Sequence, residues 1–313
     1  MKIVALAGGV GGAKFAHGLA QILKPEELTV IVNTGDDFEH YGLYICPDLD
    51  TVCYTLAGLA NPETGWGRVN EAWNAIEIAS GLGGPDWFKL GDKDLGTHLE
   101  RTRRLKGGDS LSQITRDFCT AWGIQHTVLP MSDQPVRTMI DTNEGELAFQ
   151  EYFVHRRCEP RVKGFRFEGT VEAEPAPGAR EAVESADSIV ICPSNPWVSV
   201  DPILKVIFPT PSPFLTGNGK RIVAISPIIG GETVKGPAAK MFRELGIEPS
   251  ALAVANHYRG FATHFVSDEI DSQLIESVRG LNIQTLVTNT LMKSHVDRRK
   301  LAREVLNFIG VAV

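Results

Sequence analysis

The chain has 313 residues, 43% of them hydrophobic and 22% charged, a composition ordinary for a globular protein. Its formal net charge of −7 argues against a nucleic-acid partner or an anionic membrane surface, either of which favours a basic face. Five cysteines without CxxC spacing read as reduced thiols, and no apolar run reaches the roughly 18 residues of a membrane span, so a cytoplasmic protein with no membrane partner is expected.

The chain opens MKIVALAGGVGGAK. Residues 3–7 are a short apolar run, the pattern of a strand buried on both faces. Gly8, Gly9, Gly11 and Gly12 follow, and then a helical pattern over 13–23 with Phe15, Leu19, Ile22 and Leu23 on its apolar side. Strand, glycine turn and helix aim backbone N–H groups and a helix N-terminus at a phosphate. Glycine lets the backbone approach the anion. No Gly-Lys-Ser/Thr follows at P-loop spacing, and GxGxxG is met only loosely, since Lys14 stands where a third glycine belongs.

Residues 28–32 (LTVIV) read as a second buried strand ending in Asn33-Thr34-Gly35-Asp36-Asp37. In a parallel sheet ligands bind at the carboxyl ends of strands, which puts Asn33, Asp36 and Asp37 beside the glycine loop. An acid there can bind a ribose hydroxyl, two adjacent acids can hold a metal ion, or the residues only close a polar turn. Pro47 and Asp48 mark the next helix start, with Val52, Tyr54, Leu56 and Leu59 at helical spacing. Asp48 and Asp50 sit in its first turn, where the helix dipole favours carboxylates as caps.

Between residues 65 and 122 amphipathic helical patterns replace strand runs, over 68–79, 95–105 and 111–122, the last with Ser110 as N-cap. We read 61–125 as a helical insertion. Within it, Trp87, Phe88, Lys89, Asp92, Lys93 and Asp94 surround a glycine turn, followed by Thr97 and His98. This is either a solvated charged loop or one that meets a ring and an anion. Residues 126–129 form a short strand. Runs 136–141 and 147–154 alternate around Asn143-Glu144-Gly145, which predicts a hairpin in a segment spanning 130–170. The basic cluster His155, Arg156, Arg157, Arg161 and Lys163 is a solvated face or a neutraliser of a polyanion.

After a helix over 179–186, strands at 188–192 and 221–225 both end in Ser/Asn/Pro/Gly loops. There Asn195 could read a base edge, Ser226 or backbone N–H groups could hold phosphate, and Lys235 could supply a cation. A helix over 238–245, a strand over 251–255, a last strand over 284–287 and a helix over 294–308 complete the pattern. The fold expected is one α/β domain, residues 1–313. It is a Rossmann-like, mostly parallel sheet with helices on both faces, plus the helical insertion and the antiparallel hairpin segment.

Seven segments occur in a telling order: GGVGGAK, NTGDD, CPDLDT, KLGDKD with TH, LPMSD, PSNP, and SPIIGG with VKGP. Together they resemble the 2-phospho-L-lactate transferase family of coenzyme F-420 biosynthesis, over residues 1 to about 300. Cys46 stands where the family pattern has Ser, and GGVGGAK replaces GGTGxxK; neither change removes a charged group. The resemblance implies a Rossmann-like enzyme, a homodimer with small-molecule substrates. The donor is guanosine diphosphate carrying phospholactate or a phosphoenolpyruvate- or phosphoglycerate-derived variant. The acceptor is the ribityl hydroxyl of the deazaflavin FO, the leaving group is GMP and the cofactor is magnesium. It places Asp50 and Lys89 on the deazaflavin. The donor phosphates would be held by Gly9, Gly11 and Gly12, with Asn33, Ser194, Asn195, Ser226 and Lys235 around the rest of the GDP. Asp36, Asp37 and Asp50 are the metal candidates, and Asp50 is also the candidate to orient the attacking hydroxyl or take its proton. The alternative is a non-catalytic nucleotide-sugar-binding regulator of the related gluconeogenesis-factor family, which has no use for a deazaflavin site.

Overall fold

The computed structural model describes residues 1–208 and 219–311. The first strands are β1 (Ile3–Ala7), β2 (Leu28–Val32), the hairpin β3 (Phe38–His40) with β4 (Leu43–Ile45), and β5 (Thr127–Pro130). Next come β6 (Arg137–Thr142), β7 (Gly145–Ala148), β8 (Val162–Glu168), β9 (Ser188–Ile191) and β10 (Arg221–Ile225). The two-residue β11 (Ile228–Ile229) and β12 (Glu232–Thr233), then β13 (His264–Ser267) and β14 (Gln284–Val287), complete the set. Seven strands make one parallel sheet in the order β14-β13-β10-β9-β1-β2-β5. The chain builds outward from β1 through β2 to β5, then returns to the other side of β1 as β9. Where the order reverses, the connections diverge and leave a crevice at the strands' carboxyl ends.

Alternation along each strand feeds two cores. Ile3, Ala5 and Ala7 join Val30, Val190 and Val223 on one face; Val4 and Leu6 join Ile31, Ile189 and Ile191 on the other. The first face is covered by α1 (Gly9–Ala20), α2 (Pro47–Leu56) and the helix His295–Phe308. The second carries helices Ala179–Ser185, Asp201–Ile207, Ala238–Glu244 and Ala251–His257, together with the antiparallel sheet β7-β6-β8. Among the described residues no helix is long and apolar enough to cross a membrane.

Four local expectations change. First, α1 begins at Gly9, not at residue 13, because the glycines form its first turn and Gly8 is the extended N-cap. Second, of the insertion's helices α3 (Asn74–Gly81), α4 (Asp92–Lys106) and α5 (Leu111–Ala121), α3 starts six residues later than the pattern at 68 suggests. The bridge from Ala60 to Arg68 and the left-handed Asn70, φ 56°, hold that stretch out of a helix. Third, the run at 251–255 is helix. Ser250 Oγ accepts from Ala253 N as N-cap, and Ala251, Val254 and Ala255 are the buried stripe. A short apolar run fits either period, and here the cap decides. The strand of that region is β13, which starts with a histidine. Fourth, the run at 147–154 leaves the sheet after Ala148 and coils into a helical turn at Glu151–His155 before β8 adds a third strand. In the basic cluster, Arg156 pairs with Glu144, and His155 lies 2.8 Å from Glu151.

Candidate functional site

A cavity of about 800 Å³ opens at the point where the sheet order reverses. One end is built from the loops after β1, β2, β9 and β10; the other is walled by residues of the insertion and of the Glu151–His155 turn.

At the first end the glycines let two loops meet. A Cβ on Gly11 would stand 2.3 Å from the Pro193 carbonyl oxygen, and one on Gly12 would stand 2.6 Å from Ser194 Oγ. Gly9 and Gly11 border the cavity, while Gly12 is buried against Ser194 and Ala7. Gly12 is therefore a packing glycine and not a phosphate contact. Gly9 has φ +63°, and a Cβ there would come no nearer than 3.9 Å to another group, the Asp48 Oδ1. Its N–H is taken by Asp48, 2.7 Å from Oδ1. The next N–H groups of α1 have no intrahelical partner by helix geometry and are left to face an anion. Lys14, one turn on, also borders the cavity; its Nζ donates to the Met292 carbonyl at 3.1 Å. Burial, with Arg298 and Lys235 nearby, holds its pKa below the ordinary lysine value.

The polar residues after β2 divide. Asn33 is fully buried; its Nδ2 donates to Asp48 Oδ2 at 2.9 Å and to the Val198 carbonyl at 3.2 Å, and its Oδ1 accepts from Gly35 N. It does not border the cavity; its bond to Asp48 gives it a supporting place behind the site. Asp36 borders the cavity with Oδ1 buried and unpartnered. Burial, then the charge of Asp48, pushes its pKa well above the carboxylate range. Asp48 itself is pushed up to about 6, by burial. Asp37 is buried off the cavity with neither oxygen partnered, and burial raises its pKa to about 8. Lying off the cavity, it is a weaker metal candidate than the carboxylates that border it. Asp36 and Asp48 suit a magnesium ion better: hard carboxylate oxygens beside the loop, one of them without a partner.

The remaining candidates of this end all touch the cavity, but several have internal duties. Ser194 Oγ donates to Gly8 O at 2.7 Å and accepts from Gly8 N, which locks the β9 loop to the β1 loop. Asn195 Oδ1 caps the following turn by accepting from Trp197 N and Val198 N. Ser226 Oγ is spent on Ile228, N–H and carbonyl both. Lys235 Nζ donates to the carbonyls of Glu63 and Thr64, strapping the 61–67 loop over the site.

The other end is a charged network. Asp50, on α2, is paired by both terminal nitrogens of Arg101 on α4; NH1 lies 3.1 Å from Oδ2. Burial pushes the Asp50 pKa up and the guanidinium opposes this. His98 Nδ1 lies 3.7 Å from Asp50, and its Nε2 lies 3.4 Å from Asp94. Tyr54 OH donates to Asp94 at 2.6 Å. Burial opposes charge on Asp94, but the contacts from His98 and Tyr54 outweigh it and hold its pKa low. Ligand atoms of Asp50, Asp94 and His98 lie within 4.8 Å of one another. A metal there would compete with the Arg101 cation that already touches two of the three, so Asp50 is better described as an ion-pair partner than as a metal ligand. Beyond this network Trp87, Phe88, Phe149 and Phe153 form an apolar wall; Phe149 and Phe153 stack at 5.4 Å and 12°. Trp87 stacks on His155 at 5.2 Å, which joins the insertion to the Glu151–His155 turn. Lys89 borders the wall, is exposed, and forms no ion pair among the described residues.

Sequence reasoning gave no site role to Lys14 or Arg101, named Asp94 and His98 only within the charged loop, and offered no role for Asp48 beyond a cap. One signal was present: positions 94, 98 and 101 fall on a single face of a helix.

A family model described as 2-phospho-L-lactate transferase CofD matches residues 3–309. The phosphoenolpyruvate transferase of Streptomyces griseus is 41% identical over 312 residues, covering 98% of this chain and 98% of its own. The 2-phospho-L-lactate transferase of Methanosarcina mazei is 38% identical over 304 residues, covering 97% of this chain and 99% of its own. A crystal structure of a UPF0052 family member from Bacillus halodurans matches with TM-score 0.63 at 17% identity, over 97% of this chain and 98% of the other. That last likeness is one of fold alone.

Proposed function

The chain belongs to the 2-phospho-L-lactate transferase family, and from that premise we propose that it moves a phosphorylated three-carbon acid from a guanosine-diphosphate-linked donor to the terminal ribityl hydroxyl of the deazaflavin FO. The observation that carries this reading is one continuous cavity, lined at one end by the N-terminus of α1 and Lys14 and at the other by aromatic and charged side chains. Its volume lies in the range of small-molecule sites. The acceptor oxygen bonds to the β-phosphorus, the bond from that phosphorus to the bridging oxygen breaks, and GMP leaves. The hydroxyl proton passes to a carboxylate or to water.

Such a transfer asks for positioning and charge neutralisation more than for covalent chemistry. The N–H groups of the α1 first turn and Lys14 hold the donor phosphates. Asp36 and Asp48 hold the magnesium ion, whose contribution when bound is to offset charge on the phosphate oxygens. Asp50 accepts a hydrogen bond from the attacking hydroxyl and orients it. Lys89 and the aromatic wall hold FO. The names of the relatives support enolpyruvate as the first three-carbon acid to try and lactate as the second. The family likeness also supports a homodimer and a place in coenzyme F-420 biosynthesis.

The test is mass spectrometry of the product formed when the protein, with magnesium, is given FO and each guanosine-linked donor in turn. We expect one phosphodiester of FO together with GMP. Tight binding of a nucleotide sugar, with no FO converted from any donor, would return the regulator reading.

A further inference from the structure

Among the described residues of the insertion, Arg101 is the most buried arginine, lysine, aspartate or glutamate. It is 2% exposed, does not border the cavity, and leaves α4 to meet Asp50 across 51 residues of sequence. Its guanidinium has four neighbours. Both terminal nitrogens bind the Asp50 carboxylate; NH1 also donates to the Tyr44 carbonyl at 3.3 Å and lies 3.2 Å from His98 Nδ1. The Phe118 ring of α5 lies 6.0 Å from Cζ. A planar fork held at several points has one orientation, and a carboxylate gripped by both its prongs has one orientation too. Asp50 does border the cavity. A burial this complete is costly for a cation unless its partner is equally fixed.

We propose that Arg101 is the positioning residue of the transfer: it acts through Asp50, whose carboxylate it holds in the one rotamer that meets the acceptor hydroxyl in line with the phosphorus. The insertion thus supplies half of a group whose other half stands on the sheet domain. This inference rests on the reading of Asp50 as the residue that meets the acceptor.

The experiment compares Arg101→Lys, Arg101→Met, Asp50→Asn and the double variant Asp50→Asn/Arg101→Met. Readouts are FO conversion with the enolpyruvate-linked donor, donor binding by calorimetry, and thermal unfolding. Arg101→Lys keeps the charge but loses the fork. It should fold, bind donor within about twofold of wild type, keep the KM for FO within about twofold, and lose kcat at least about tenfold. Arg101→Met should lose kcat about a hundredfold, the scale of a misplaced reacting group. It also leaves a buried carboxylate unpaired, so its melting temperature should drop, and adding Asp50→Asn should restore the melting temperature without restoring turnover. If Arg101→Met does not fold, Arg101→Lys and the double variant decide. Wild-type kcat in Arg101→Lys, or a loss confined to donor affinity or melting temperature, overturns the inference. Full turnover by Asp50→Asn sinks the reading of Asp50 itself, whatever Arg101 does. An inactive Asp50→Asn beside a fully active Arg101→Lys sinks only the role given to Arg101.

Discussion

The two ends of the cavity are built from different materials. The glycine-loop end is mostly backbone, with glycines, helix N–H groups and loop carbonyls fixed because β1 and β9 are neighbours in the sheet, and with Lys14, Asp36 and Asp48 beside them. Its polar side chains, Asn33, Ser194 and Ser226, spend their hydrogen bonds inside the protein. The other end is side chain, with Asp50, Asp94, His98, Arg101 and an aromatic wall drawn from segments far apart in the chain. The first end thus presents mainly backbone geometry to a ligand, and the second presents side chains that hold one another in place. Substitutions at the first end should act through packing, and those at the second through turnover.

The largest effect tests the second half of that contrast. Asp50→Ala should lower kcat by two to three orders of magnitude, the scale of a lost proton-handling or orienting group, with donor affinity nearly unchanged. Parallel loss of donor affinity would erase the division. Next in size is Gly11→Ala. Its methyl group meets the Pro193 carbonyl at 2.3 Å, so the β1 and β9 loops must separate. We expect donor affinity to fall about tenfold, or about 1.4 kcal/mol, together with a lower melting temperature. Donor affinity falling with stability untouched would instead make Gly11 a direct phosphate contact. Lys89→Ala should raise the KM for FO about fivefold, the value of one exposed hydrogen bond, and leave the donor alone; steady-state kinetics with FO varied would show it.

The smallest effect on turnover is expected from Asp37→Asn, within about twofold at any pH. Its effect belongs to stability. In the folded protein Asp37 binds its proton up to about pH 8, whereas in the unfolded chain it releases it near 3.8. The contribution of this group is therefore complete below pH 4 and is lost as pH rises to about 8. Asparagine cannot ionise, so the gain in melting temperature over wild type should grow across that window. A variant that loses activity and shows no such growth would put Asp37 on the metal after all.

What could be read in the sequence follows the same contrast. Strands 3–7, 28–32 and 221–225 were legible because a parallel strand buried on both faces is an unbroken apolar run. The loops of the glycine end were legible as segments because they are contiguous motifs at strand ends. Two elements were not. The run at 251–255 carries no period that separates strand from helix, and β13 opens with His264, so neither its type nor its existence stands out. At the other end Asp50 and Arg101 are 51 residues apart, and nothing local links them. The inward duties of Asn33 and Ser194 were hidden for another reason. A polar side chain in a loop can face a ligand or its own backbone, and only the neighbouring loop decides which.

The place of β1 in the sheet also sets the order in which the molecule can assemble. Its first neighbour, β2, is complete by residue 32, but its second, β9, begins at residue 188. At about 5–20 residues per second a ribosome needs roughly 8–30 s to cover that distance. Throughout that interval the glycine loop lacks Ser194 and the Pro193 carbonyl it packs against, and one edge of β1 has no partner. The part of the chain that emerges first is therefore among the last to reach its final form, and a truncated chain that stops short of β9 carries the motif without the pocket.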